Sequence, residues 1–250
     1  MKVSIITVVY NNSSTIRSAI ESVLSQTYSN IEYIVVDGAS TDGTVEIVKS
    51  YGSKITKFIS EPDKGIYNAM NKGVRFSTGD VVGILNSDDF FTNNSIIQNI
   101  VDSFDNDTDV IYGDVQFVDP NKISKVVRYF SSKRFKSSRF KYGFMPAHPS
   151  FYVRKKFYDA FGLYKEDYKI GADFELLVRF LYVNNLKTKY INFPFVSMRT
   201  GGISNRNFKS KIILNSEVLR ACRDNGIKTN IFNIYSKYFF KIFEFVRFKV

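Results

Sequence analysis

The run Asn86-Ser87-Asp88-Asp89 sets two adjacent carboxylates and a nearby amide directly after the apolar residues 81–85. Neighbouring carboxylates repel each other unless a cation or hydrogen bonds offset their charge. Magnesium and manganese take oxygen ligands and are commonly held by one or two carboxylates together with substrate phosphates. The same residues equally suit an Asx turn leading into a helix near Asn94, with Asp89 as a solvated cap. Two further polar pairs follow apolar runs in the same way: Tyr10-Asn11 after residues 3–9, and Asp37-Gly38 after residues 31–36. Farther along stand Asp173, with Glu175 beside it, and the sole histidine, His148, in Met145-Pro146-Ala147-His148-Pro149. Asp173 fits a helix N-cap, and a lone histidine is more often structural than functional.

Such residues act together only if the fold gathers them, and the sequence pattern supplies a way. Residues 3–10, 31–36, 55–59 and 81–85 read as four buried strands, rich in β-branched and apolar residues. Helical spacing separates them. Ile16, Ala19, Ile20, Val23 and Leu24 follow the candidate caps Asn12, Ser13 and Ser14; residues 41–51 and 67–76 form two more helices. This alternation argues for an α/β fold, a mostly parallel central sheet with helices on both faces. Ligands of open sheets sit beyond the carboxyl ends of the strands. Tyr10-Asn11, Asp37-Gly38 and residues 86–89 therefore point at one crevice. After Asp109 the pattern loosens. Residues 110–118 and 125–130 suggest a hairpin around Asp119-Pro120-Asn121, and 173–182 a helix after Gly171.

Several chemistries are excluded. The turn 10–14 contains no glycine, so the dinucleotide fingerprint is missing, and no Gly-Lys-Ser/Thr loop or Gly-x-Ser-x-Gly elbow occurs. Cys222 alone allows neither an intrachain disulfide nor a Cys-based zinc site, and suits a reducing cytoplasm. Residues 1–10 do not read as a signal peptide, and no run has the length of a membrane-spanning helix. Charge is unevenly spread: residues 1–120 hold 8 Lys/Arg and 16 Asp/Glu, residues 121–250 hold 27 and 8. An acidic half suits a metal ion, and a basic half suits phosphates or anionic lipid. The pI near 9.5 also raises nucleic-acid binding, but ordered aromatic-basic motifs for it are missing, and no nucleic-acid partner is expected.

Five segments in order resemble family 2 glycosyltransferases of the GT-A fold: VSIITVVYNN (3–12), IEYIVVDGASTDGT (31–44), SEPDKGIYNAMNKG (60–73), TGDVVGILNSDD (78–89) and GADFELLVR (171–179). Each is weak alone; the ordered set is specific. The likeness extends to bacterial members that build capsular, exopolysaccharide or O-antigen units. It implies a GT-A domain over 1–205, with a nucleotide-sugar-binding half (1–120) and an acceptor-binding half (121–205), then a C-terminal helical extension (206–250). It implies base contacts from Tyr10 and Asp37, flanked by Asn11 and Gly38, and further nucleotide contacts from Asp63, Lys64 and Asn68, with Tyr67 near them. Asn86 stands at the first position of the Asp-x-Asp motif, where many relatives carry Asp, next to Ser87. Asp88 matches the metal-binding carboxylate, with Asp89 and His148 as further ligand candidates for Mn2+ or Mg2+. Asp173 matches the catalytic base, and Glu175 is a nearby alternative.

The resemblance thus implies an inverting, metal-assisted transfer of a hexose from a nucleoside-diphosphate sugar, UDP favoured, to a glycan or polyprenyl-linked saccharide acceptor. Arg199 with Gly201-Gly202-Ile203-Ser204 is a candidate flap over the diphosphate, or an ordinary loop. Residues 230–250 form an aromatic, basic helix suited either to the interfacial plane of an anionic membrane or to packing on the domain. The expected location is cytoplasmic, peripheral on the inner face of the cell membrane. Two competing readings are a sugar nucleotidyltransferase and a catalytically silent membrane-surface binding protein. The first lacks a Gly-rich triphosphate loop near the N-terminus; retention of Asp37, Asp88 and Asp173 together weighs against the second.

Overall fold

A computed structural model describes residues 1–201 and 208–246, with side chains given for all of these except 208 and 239–246. Its centre is β1 (Val3–Val9), whose seven residues are all buried. A strand covered on both faces needs partners on both edges and apolar residues on both sides. Parallel β2 (Ile31–Asp37) pairs along one edge, from Val3↔Ile31 to Val9↔Asp37, and parallel β4 (Val81–Ile84) along the other. Beyond β2 lies β3 (Lys57–Ser60), which sets Asp37 opposite Ser60. The expected parallel sheet is present, and its carboxyl ends open along one rim.

The second half of the sheet is mixed. β8 (Phe151–Arg154) joins β4 antiparallel; β6 (Val110–Asp119) follows it, then β9 (Thr188–Arg199) and the short β5 (Asp89–Phe91). The expected hairpin forms as β6 with β7 (Lys122–Phe130), and β7 pairs only β6. Strands β5, β8 and β9 lie in stretches where the sequence shows no clean period. β9 runs parallel to β6 with a register shift between Tyr112 and Asp114, and Pro194 falls at that shift, where a missing N–H is tolerated.

Alternating side chains divide the core in two. Val3, Ile5, Tyr33 and Val35 pack under α1 (Ile16–Leu24), α2 (Thr44–Lys49) and α4 (Ile96–Ser103). Ile6, Val8, Ile34 and Val36 pack under α3 (Ile66–Phe76) and α6 (Ala172–Val178). α5 (Lys156–Phe161) adds Tyr158 to this second core. The chain continues past α6 as a π-helical turn (Arg179–Val183). α7 (Phe208–Asp224) and α8 (Ile231–Val246) close the same side, burying Val218, Ala221, Cys222, Ile227 and Ile234 within it. One face of the described C-terminal segment is therefore built into the core. Gly202, Ile203 and Ser204 of the candidate flap, and the phenylalanine side chains late in α8, lie outside the described residues.

At the junction between β4 and β8, Gly83 faces Tyr152. A Cβ on Gly83 would lie 2.2 Å from the Tyr152 ring, and the buried Tyr152 hydroxyl has no hydrogen-bond partner. Gly83→Ala is expected to lower stability by about 1–3 kcal/mol through overpacking. Tyr152→Phe, which removes an unpaired hydroxyl, is expected to be neutral or to add about 1 kcal/mol. Urea midpoints of the two variants measure both effects.

Candidate active site

The strand rim collects the first group of residues. Asp37 is fully buried at the end of β2. One carboxylate oxygen accepts the Ser40 N–H at 3.0 Å and the Ser60 hydroxyl at 2.7 Å; the other has no partner. An unpaired buried acceptor costs about 1–3 kcal/mol, so the corner is suited to an N–H from a ligand. A Cβ on Gly38 would lie 2.5 Å from an Asp63 carboxylate oxygen and 3.3 Å from the Tyr10 ring. Glycine thus lets those two side chains converge, and Tyr10 leaves 65% of its surface exposed beside them. Asn11 adopts a left-handed φ of 47°. Its N–H donates to the Ser40 hydroxyl at 2.7 Å and its side-chain oxygen accepts the Thr41 N–H at 2.8 Å, which hold that turn. Tyr10, Asn11, Asp37, Gly38 and Asp63 therefore share one corner. Lys64 is exposed nearby. Asn68 accepts the Lys64 N–H at 3.3 Å and donates to Glu166 at 2.9 Å, bracing a loop of the second half.

The acidic run is fixed from behind. The Asn12 amide donates to the Ser87 hydroxyl at 3.0 Å, and the Thr15 hydroxyl to the Ser87 carbonyl at 2.8 Å. Thr15, not Asn12 to Ser14, is the residue at the start of α1, and its hydroxyl serves the acidic loop instead of capping the helix. Arg199 donates to the Asp88 carbonyl and, at 2.8 Å, to the Ser18 hydroxyl, so it ties β9 to the loop. Asp88 is half-buried, and Asp89 is buried on β5. Burial, and then the Asp88 charge, push the Asp89 carboxyl well above the usual carboxylate range. The Asn86 amide donates to Asp89 at 3.3 Å while its buried oxygen lacks a partner. This set of hard oxygen donors fits Mn2+ or Mg2+, which draw further ligands from phosphates and water. Among the described residues no three or more His, Cys, Asp or Glu side chains form a metal-binding group. His148 is not gathered with Asp88 and Asp89: its Nε2 pairs with the Tyr164 hydroxyl at 2.8 Å. Burial lowers its imidazole to about 4, so it is neutral at ordinary pH.

Asp173 lies in the first turn of α6, and Gly171 occupies the N-cap position. One Asp173 oxygen accepts the Phe174 N–H at 2.8 Å. Burial raises its carboxyl to about 6; the Glu217 charge adds to the rise, while hydrogen bonds, including one with Tyr67, oppose it. A carboxylate so placed is a competent proton acceptor near neutrality. Glu175 is different: fully buried, it pairs with Lys165 and Arg179, each at 2.9 Å. Burial alone would raise its carboxyl, but those partners win and lower it, leaving Asp173 as the freer base. Ser40, Ser60, Tyr164 and Glu217 were not legible as site residues; only Ser40, three positions after Asp37, carries a local Asx-type signal.

The glycosyl transferase family 2 model matches residues 4–161, more than half of the chain. The chain belongs to glycosyl transferase family 2. A Rickettsia typhi protein described as an uncharacterized glycosyltransferase is 34% identical over 196 residues, 74% of this chain and 60% of its own length. This family 2 chain thus spans about 60% of that relative. Among solved structures, S. aureus TarS 1–349 in complex with UDP-GlcNAc aligns with a TM-score of 0.71 at 19% identity, covering 91% of this chain and 68% of that one. The Pyrobaculum calidifontis mannosyltransferase PcManGT, with GDP-Man and Mn2+, aligns at 0.66 and 18%, covering 89% and 63%. At such identities the structural matches show the fold alone, and that fold is GT-A-like. With the corner read as a nucleotide site, Gly38→Ala is expected to weaken nucleoside-diphosphate binding about tenfold, about 1.4 kcal/mol, because the new methyl displaces Asp63 or Tyr10. Calorimetry beside a urea midpoint separates this from loss of stability.

Proposed function

We propose that the protein transfers a hexose from a nucleoside-diphosphate sugar, a UDP-sugar by preference, to a hydroxyl of a glycan or polyprenyl-linked saccharide, with inversion at the anomeric carbon. The observation that carries this reading is the Asp37 corner, with a buried carboxylate oxygen unpartnered beside Gly38, Tyr10 and Asp63. That acceptor suits an N–H of a base, and the exposed Tyr10 ring offers a surface for its face. The ligands in the two solved relatives, UDP-GlcNAc in one and GDP-Man with Mn2+ in the other, support a nucleotide-sugar donor. Asp88, with Asp89 and the Asn86 oxygen, would hold a divalent cation. When bound, that cation supplies charge neutralisation for the departing diphosphate. Asp173 takes the proton from the acceptor hydroxyl as its oxygen bonds to the anomeric carbon. The bond from that carbon to the diphosphate oxygen breaks, and the nucleoside diphosphate leaves.

The same reading places the protein in the cytoplasm, on the inner face of an anionic membrane. α8 supports it in part: Ile234 and Lys237 are buried against the domain, while Ile231, Tyr235 and Phe232, the last 81% exposed, face outward. No helix among the described residues is long and apolar enough to cross a membrane.

Transfer requires ionised Asp173. Its carboxyl is raised to about 6, so the rate is expected to fall about tenfold per pH unit below that value and to level off above it. Asp173→Asn is expected to lower kcat by about 10²–10⁴-fold with nucleotide affinity nearly unchanged. Proton NMR of the product of a UDP-sugar incubated with membrane-derived acceptor reads the anomeric configuration. Retention of configuration, or an active Asp173→Asn variant, contradicts the assignment.

A further inference from the structure

The loop leading to Asp173 is held between two helices. From α3, the Asn71 side chain accepts the Tyr164 N–H at 2.9 Å and donates to the Tyr164 carbonyl and to Glu166 at 2.8 and 2.9 Å. The Tyr67 hydroxyl, also from α3, donates to the Ile170 carbonyl. From α7, the Glu217 carboxylate accepts three successive backbone N–H groups: Lys169 at 2.7 Å on one oxygen, Ile170 at 2.9 Å and Gly171 at 2.8 Å on the other. One turn on, Arg220 pairs with Asp167 and lies 4.4 Å from the Tyr168 ring centroid.

This contact with α7 has the marks of a built site. Three charge-assisted hydrogen bonds onto one carboxylate fix both oxygens and the direction of the loop, each stronger than a neutral bond. Gly171 admits it: a Cβ there would lie 3.2 Å from the Glu217 Cβ and 3.3 Å from its carboxylate oxygen. Asp173 follows two residues later on α6, and α6 packs against α7 in the same core. Glu217 and Asp173 both lie outside residues 4–161, the region of the family match.

We infer that Glu217 is a positioning residue for the transfer: by gripping residues 169–171 it sets where Asp173 stands and keeps a second negative charge beside it. This rests on the reading of Asp173 as the base. The groups that bear on Asp173 are Tyr67 from α3, Tyr164 from the preceding loop, and Glu217 from α7. Both phenols have their pKa raised, chiefly by burial, and stay neutral near pH 7. Glu217 is therefore the charged neighbour among them, and like charge favours the protonated form of Asp173. Glu217 thus bears on both the position of Asp173, together with Tyr67 and Asn71, and its proton affinity, where its charge adds to the larger effect of burial.

The test uses the full chain and the isosteric Glu217→Gln, with Glu217→Ala as the harsher variant, and measures transfer from a UDP-sugar across pH 4.5–8 alongside calorimetric UDP affinity. For Glu217→Gln the expected result is an acid limb displaced to lower pH, a plateau kcat reduced about tenfold, and UDP affinity within about twofold of wild type. A limb and a kcat that both stay at wild-type values in Glu217→Gln overturn the inference, as does a loss of activity matched by loss of UDP binding. A wild type with no acid limb, or an Asp173→Asn variant that keeps one, overturns the base reading and this inference with it. Should Glu217→Ala fail to fold, Glu217→Gln alone decides.

Discussion

A carboxylate set beneath the carboxyl ends of parallel strands has lost its water, and every oxygen it carries needs a partner from the protein or from a ligand. Asp37 is such a group, and much of the first half is arranged around it. β1 and β3 bring Val9 and Ser60 alongside, and the turn after β2 folds back to give it the Ser40 N–H. Gly38, lacking a Cβ, leaves the room into which Tyr10 and Asp63 converge. These contacts settle one oxygen and leave the other without a partner. A fold that buries a polar oxygen without a partner in this way gains from a ligand that completes it.

The second half answers the same constraint at Asp173. Its carboxyl is raised by burial, which makes the ionised form costly and the group a better proton acceptor. The loop before it cannot rely on a hydrophobic anchor alone, because its backbone N–H groups also leave water. Glu217 from one side and the α3 residues Tyr67 and Asn71 from the other satisfy that backbone. With Asp173 as the proposed base, its placement and the hydrogen-bond satisfaction of the loop before it are one problem with one solution, and α7, far along the chain, contributes to it.

The strands that form the rim were legible because burial on both faces demands unbroken apolar, β-branched runs, as in residues 3–9 and 31–36. The crevice followed from where those runs end. β9 was not legible: Asn192 and Pro194 interrupt it, and its burial depends on β6, a partner set by tertiary contacts. β5 is three residues long and begins inside the acidic run. Asp173 could be told from an N-cap only by resemblance, since both roles want a carboxylate at a helix start. Glu217 gave no signal at all, because it lies 46 residues beyond Gly171 and only the folded chain brings them together. His148 drew notice as the sole histidine, yet its bond to Tyr164 is a long-range fact of packing.

The proposed transfer depends on the Asp37 corner as a nucleotide site. Calorimetric titration of UDP, GDP and dTDP into the protein, each with Mn2+ and with chelator, and into Asp37→Ala, tests it most directly. The expected result is saturable, Mn2+-strengthened binding, tightest for UDP, that Asp37→Ala weakens at least about tenfold, about 1.4 kcal/mol. Absence of binding by all three nucleotides, or binding that Asp37→Ala leaves unchanged, would contradict it.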